Sequence, residues 1–306
     1  MNLLRYWRTA MSGWRRIVRE RGKPEVVHAY IMVRPALVAA WLRLWHNVPF
    51  VIGEQSSEYL TGAYANSSAL RKAIHIFLFR RAARVTAVSD HLASALSAHG
   101  LCQWAAVVPN VIPGTERPLP ARGPANEFMM VADLVDGVKN VSGVLRALKS
   151  ARDAGHDLRL SIIGDGEDGT MLRTAAKEMG LNGSVTFLGR VSQPEVLDAM
   201  ARTGTVIINS NVETFSVVTG EALAMGRPVI ATRCGGPQAF VNDANGVLIA
   251  PGDDRALSEA MLHMADPTHA YDPATVRASV GDRYSTEAVG RAMVKVYDEV
   301  IAQRHG

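Results

Sequence analysis

The chain has 306 residues, 48% of them hydrophobic and 20% charged, a globular composition long enough for two domains of about 100–200 residues each. No run of about 18 or more uncharged apolar residues occurs, which excludes a membrane-spanning helix within this sequence, and MNLLRYWRTAMSGWRR at the start lacks the apolar core of a signal peptide. Cys102 and Cys234 are the only cysteines; two thiols at that spacing exclude a disulfide framework and suggest no metal, so they read as reduced thiols in a cytoplasmic protein.

The net charge of +4 is unevenly spread: residues 1–120 carry 15 Lys and Arg against 6 Asp and Glu, the remainder 18 against 23. Such asymmetry predicts two domains, the first facing something anionic. No nucleic-acid-binding motif is present, so phospholipid headgroups are preferred over nucleic acid.

In the first segment, Leu3, Leu4, Trp7, Met11, Trp14, Ile17 and Val18 fall on one helical face and five arginines fall mostly elsewhere. A basic helix with Trp on its apolar side suits a membrane interface; the commoner arrangement is a surface helix packing that stripe onto a sheet. Strands follow at EVVHAY (25–30), PFVIG (49–53), RVTAVS (84–89) and WAAVVP (104–109), with helical patterns over 35–46, 69–82 and 90–99. NVIPGTERPLPARGP (110–124) is rich in Pro and Gly and reads as a linker.

The second half repeats the alternation. EFMMVA (127–132), LRLSIIG (158–164), SVTFLG (184–189), TVIINS (205–210), RPVIATR (227–233) and GVLIA (246–250) read as strands with helical patterns between most of them, and the tail from Tyr284 reads as a helix. Short buried strands alternating with helices predict α/β doubly wound domains with parallel sheets. A ligand is then expected at the carboxyl ends of the strands.

The stretch ETFSVVTGE (213–221) carries the most chemistry. Glu213 lies in the loop after a strand, and a helix beginning near Ser216 aims free backbone N–H groups at that loop, a ready site for phosphate. Ser216 is expected to cap that helix. Glu221, in its second turn, is placed to accept hydrogen bonds from a vicinal diol such as ribose. Two carboxylates eight positions apart are, by themselves, usually only solvated side chains.

The wider segment NSNVETFSVVTGEALAMGRPVIATRCGGP resembles the donor-site signature of retaining glycosyltransferases of the GT-B fold (glycosyl transferases group 1, family four). Ser210, Glu213, Phe215, Glu221, Ala222, Gly226, Pro228, Val229, Gly235 and Gly236 match. PEVVHAY, VTAVSDHL, VVPNVIP, IIGDGE and FLGRV extend the resemblance over nearly the whole chain. It implies a GT-B fold of two Rossmann-like domains, an N-terminal acceptor-side domain (1–115), a C-terminal nucleotide-sugar domain (116–282) and a helix (283–306) crossing back to the first. The activity implied is hexosyl transfer from a UDP- or GDP-linked sugar, with retention and without a metal, to a glycan or lipid-linked acceptor in surface polysaccharide assembly. The implied catalytic residues are Lys139 and Glu213. Donor binding is assigned to Lys139, Asp165, Arg190, Val191, Glu213, the backbone of Phe215, Ser216 and Val217, and Glu221.

Four positions depart from the family pattern. Asp133 stands where an arginine is expected beside Lys139. Ser216 replaces a glycine, which is tolerable where φ is negative. Gln55 replaces a histidine near the donor sugar. Three strands and a glycine loop expected before EVVHAY are missing, which makes the N-terminal domain incomplete and EVVHAY an edge strand. That edge predicts a longer natural chain, a homodimer or partner chain paired along it, or the N-terminal helix folded over it. A non-catalytic nucleotide-sugar-binding subunit is the alternative function. Partners expected are donor, acceptor and the inner-membrane surface, with no nucleic acid.

Overall fold

The computed structural model describes residues 3–305. The chain divides into two compact units, one built from residues up to Asn110 together with Glu287 onward, the other from Val111–Thr286.

Unit 1 holds a four-stranded parallel sheet, β1 (Val27–Tyr30), β2 (Phe50–Glu54), β3 (Arg84–Ala87) and β4 (Ala106–Val107), in sequential order. Its helices are α1 (Leu3–Arg21), α2 (Arg34–His46), α3 (Ala69–Arg81) and α4 (Asp90–Ala98). Strands added in one direction through right-handed crossovers place α2, α3 and α4 on one face of the sheet. The expected edge strand EVVHAY is β1, at the end of the sheet. α1 packs on helix α2, where a sheet was expected: Trp7 meets Trp41 edge-on at 5.6 Å and Trp14 lies 5.2 Å from His46. Leu4 and Ile17, expected in the packed stripe, are exposed.

At the carboxyl end of β2, Glu54 is 1% exposed. Its carboxylate accepts from the N–H groups of Met32 (3.0 Å), Gln55 and Ser56 (both 3.3 Å), joining the loops that follow β1 and β2. Burial pushes its pKa up to about 7, against the opposing pull of those three N–H donors.

Unit 2 holds six parallel strands: β5 (Glu127–Val131), β6 (Arg159–Ile163), β7 (Val185–Gly189), β8 (Thr205–Ile208), β9 (Val229–Thr232) and β10 (Gly246–Ile249). They run in the order β10-β9-β8-β5-β6-β7. β8 and β9 are buried at every residue, as a parallel sheet covered on both faces requires. The helices are α5 (Asp136–Lys139), α6 (Val141–Asp153), α7 (Gly169–Glu178), α8 (Gln193–Met200), α9 (Val217–Ala224), α10 (Asp254–Ala265) and α11 (Pro273–Ala278). The strand order reverses between β5 and β8, so a topological switch point opens at their carboxyl ends.

The tail helix α12 (Thr286–His305) belongs, from Glu287 on, to unit 1. Val296 and Val300 pack with Val51 and Val108, and the Tyr297 hydroxyl lies 2.8 Å from Nδ1 of His28. Because alternate side chains of β2 point to opposite faces, Val51 meets α12 while Phe50 and Ile52 are buried toward the crossover helices. Among the described residues, no helix is long and apolar enough to cross a membrane.

Candidate active site

The switch point of unit 2 carries the candidate site. The turn after β5 (α5) presents Lys139, and the loop after β8 presents Ser210 and Glu213. Nζ of Lys139 donates to Oε1 of Glu213 at 2.6 Å, and the Ser210 hydroxyl donates to the same oxygen at 2.8 Å. The two charged side chains are 23% and 15% exposed. A shielded pair of this kind interacts more strongly than one in open water.

The backbone explains why this geometry is held. The Asp136 carboxylate accepts from the Ser142 N–H (2.8 Å) and hydroxyl (2.6 Å), while the Asp136 N–H donates to Asp168 (2.7 Å). The β8 loop is stitched to the same turn. Asn209 Nδ2 donates to the Asn140 carbonyl (2.9 Å), the Asn211 N–H to Val138 (2.8 Å) and Asn211 Nδ2 to Gly137 (3.0 Å). Lys139 and Glu213, 74 residues apart in sequence, are therefore fixed by main-chain contacts as well as by their own charges.

Behind Glu213, its N–H donates to the Cys234 carbonyl (3.0 Å) and its carbonyl accepts from the Gly236 N–H (2.9 Å). A Cβ at Gly236 would lie 2.4–2.8 Å from Phe215 backbone atoms, so the second glycine of CGGP permits this close approach. The Cys234 thiol is buried, which pushes its pKa up to about 11 and keeps it protonated.

α9 opens at Ser216, whose φ of 68° lies in the left-handed region. The condition under which a serine is tolerated there without strain, a negative φ, is therefore not met. The expectation of a side-chain cap is corrected: the hydroxyl makes no cap bond and pairs instead with the Thr219 hydroxyl at 2.8 Å. The left-handed conformation turns the backbone so that the N–H groups of Phe215, Ser216 and Val217 have no acceptor among the described residues. These amides lie at the positive end of the helix, an arrangement able to receive an anion.

In the second turn of α9, Glu221 is 5% exposed and Oε1 accepts from Gln193 Nε2 at 3.0 Å. Burial raises its pKa, and the Gln193 bond opposes that rise. Gln193 thereby joins the candidate site, and no motif in the sequence marks it for that place. The capping box Ser192–Glu195 marks the start of α8, but nothing local joins Gln193 to Glu221.

Among the described residues, Asp165, Arg190 and Val191 make no hydrogen bond or ion pair with Lys139, Glu213 or Glu221. Asp165 is exposed after β6 and accepts from the Gly166 N–H at 2.9 Å. Arg190, next to the half-buried Val191 after β7, pairs with Asp133 at 3.1 Å, both side chains being 73% exposed. The carboxylate in the expected arginine's position thus has its own cation. Gln55 lies in unit 1 directly after β2, with its N–H on the Glu54 carboxylate.

The family model of glycosyl transferases group 1 matches residues 115–267, half of the chain and the part that carries this cluster. The chain belongs to that family. A glycosyl transferase 4-like domain model matches residues 2–111 of this group 1 glycosyltransferase. The chain is 27% identical over 295 residues to glycogen synthase of Mycobacterium tuberculosis, which spans 90% of this chain and 69% of that one. It is 28% identical over 174 residues to the lipopolysaccharide core biosynthesis glycosyltransferase LpsD of Rhizobium meliloti, covering 54% of this chain and 48% of that protein. Among solved structures, Anabaena HepE in complex with UDP superposes with a TM-score of 0.78 at 18% identity, over 95% of this chain and 82% of that one. The fold of this group 1 glycosyltransferase is GT-B.

Proposed function

We propose that this glycosyltransferase moves a hexose-type sugar from a UDP- or GDP-linked donor to a glycan or lipid-linked acceptor, with retention at the anomeric carbon and without a metal. The observation that carries the reading is the charge arrangement at the switch point. Lys139 stands against Glu213 at the carboxyl ends of β5 and β8, three amides without acceptors open α9 just beyond, and Glu221 follows in its second turn, an order that suits a diphosphate flanked by two sugars.

The chemistry follows from that arrangement. As the bond from the anomeric carbon to the diphosphate breaks and a bond to the acceptor oxygen forms, negative charge accumulates on the leaving phosphate, which takes up the proton of the acceptor hydroxyl. The Lys139 ammonium and the amides at the opening of α9 take up that charge without rearranging. The diphosphate replaces Glu213 as the partner of Lys139 and leaves the Glu213 carboxylate for sugar hydroxyls. Glu221, held by Gln193, accepts from the ribose. Relatives that act in glycogen and lipopolysaccharide synthesis support the choice of acceptor class.

A second reading, a nucleotide-sugar-binding subunit without turnover, is favoured by Asp133, which places a carboxylate where the family pattern calls for a second cation. Incubation with radiolabelled UDP- and GDP-sugars separates the two. Slow hydrolysis of one donor is the expected result; tight binding of a donor with no release of sugar supports the binding subunit.

A further inference from the structure

The helices α1, α2 and α3 carry twelve Lys and Arg residues and one acid, Glu20. They are neighbours, with α2 touching both others. Among the described residues, Arg71 alone of the twelve makes an ion pair, with Glu58. An ordinary solvated face intersperses both signs; this one does not.

The same face exposes large apolar groups. Leu44 is 70% exposed, Trp45 68% and Phe77 50%. A groove of about 360 Å³ runs between α2 and α3, lined by Leu37, Leu44, Phe77, Arg43 and Arg81. The Arg81 guanidinium sits 5.0 Å over the Phe77 ring, so charge and apolar surface share one patch. α1 reaches the same end of α2 through Trp14 and His46, and its Arg15, Arg16 and Arg19 are exposed there.

Singly exposed hydrophobic residues need no explanation, but aromatic and aliphatic groups set among unpaired arginines match one partner well. An anionic bilayer offers phosphates to the guanidinium groups, and its headgroup region accepts Trp and Phe. A nucleic acid would use the charge and leave Leu44 and Phe77 without a role. We propose that the outer face of α1, α2 and α3 docks on an anionic phospholipid membrane, with Leu44, Trp45 and Phe77 entering the headgroup layer. The assignment stands on unit 1 and is independent of the donor reading.

Flotation with phosphatidylcholine vesicles, with and without phosphatidylglycerol, tests it. The protein partitions at least tenfold more strongly onto the phosphatidylglycerol vesicles and comes off as salt is raised. Each arginine removed costs about fivefold, so Arg43→Ala with Arg81→Ala lowers partition about 25-fold. Trp45→Ser lowers it severalfold, with an unchanged circular dichroism spectrum and unchanged nucleotide binding. Equal partition onto both vesicle types overturns the proposal. So does a Trp45→Ser variant with full vesicle partition alongside an arginine-dependent complex with duplex DNA, which would assign the face to nucleic acid. Loss of vesicle partition with nucleotide binding intact concerns this face alone; the reverse result would count against the donor site alone.

Discussion

The two sheets use the same parallel ladder but differ in how the chain winds through them. Unit 2 reverses direction between β5 and β8, and the reversal brings Lys139 and Glu213 to one point with unsatisfied amides beside them. Unit 1 winds one way only. It has no reversal among its four strands, its crossover helices share one face, and its notable buried acid, Glu54, is held by three backbone N–H groups. A reversal gathers side chains that are distant in sequence and leaves donors free for a ligand. A single-direction sheet spends its polar groups on its own loops and presents a broad helical surface.

That contrast predicts where substitutions separate chemistry from stability. The largest effect is expected at the reversal. Lys139→Ala lowers donor turnover by about 10²–10³-fold, the usual loss when one preorganised charge is withdrawn from a transition state. Its unfolding midpoint changes little, because α5 is held by main-chain contacts. Steady-state kinetics beside a denaturant melt checks both halves; equal losses of turnover in wild type and variant on partial unfolding would dissolve the distinction.

The next effect belongs to unit 1 and to pH. Glu54 has a folded pKa of about 7 against 4.5 for the free side chain. The folded state therefore holds a proton that the unfolded state has released, so the stabilisation is complete below pH 4.5 and is lost as pH rises through 7. The shift corresponds to about 3 kcal/mol. Denaturant melts across pH 4.5–8 should show unit 1 weakening on that scale, and the slope should disappear in Glu54→Gln. A wild-type profile parallel to the variant's would contradict the burial argument.

The smallest effect sharpens the account of α9. A left-handed non-glycine residue costs about 1–2 kcal/mol, while the Ser216–Thr219 hydroxyl pair returns about 1 kcal/mol. Ser216→Gly relieves the strain and loses the bond; Ser216→Ala keeps the strain and loses the bond. The glycine variant should be more stable than the alanine variant by about 1–2 kcal/mol in thermal or chemical melts. Equal stabilities would mean that Ser216 does not hold the φ described here.

Much of this was legible in the sequence. The six strands of unit 2 lie inside the apolar runs that predicted them; in β8 and β9, buried at every residue, a strand covered on both faces leaves a continuous signal. ETFSVVTGE and the following Gly-Gly marked the loop and helix of the site. What escaped depended on contacts between distant residues. The Asp133–Arg190 pair spans three strands of the sheet, and no local spacing announces it. Gln193 reaches Glu221 from another helix. Glu54 follows the run PFVIG directly, and nothing in its neighbours says that a carboxylate there is buried. WAAVVP yields only a two-residue strand, Ala106–Val107, and Trp104 within it is 64% exposed, so apolar composition overstated that element. The stripe of α1, read as facing either a membrane interface or the sheet, packs through Trp7 and Trp14 on a helix, a partner that periodicity cannot specify.

The donor site is tested most directly by calorimetric titration of UDP and GDP into the wild-type protein and Glu221→Ala. One nucleotide should bind the wild type, and the variant should lose at least about tenfold in affinity, the loss expected when hydrogen bonds to a buried carboxylate are removed. Equal affinity in the two proteins would contradict a ribose at Glu221 and, with it, the placement of the donor across the opening of α9.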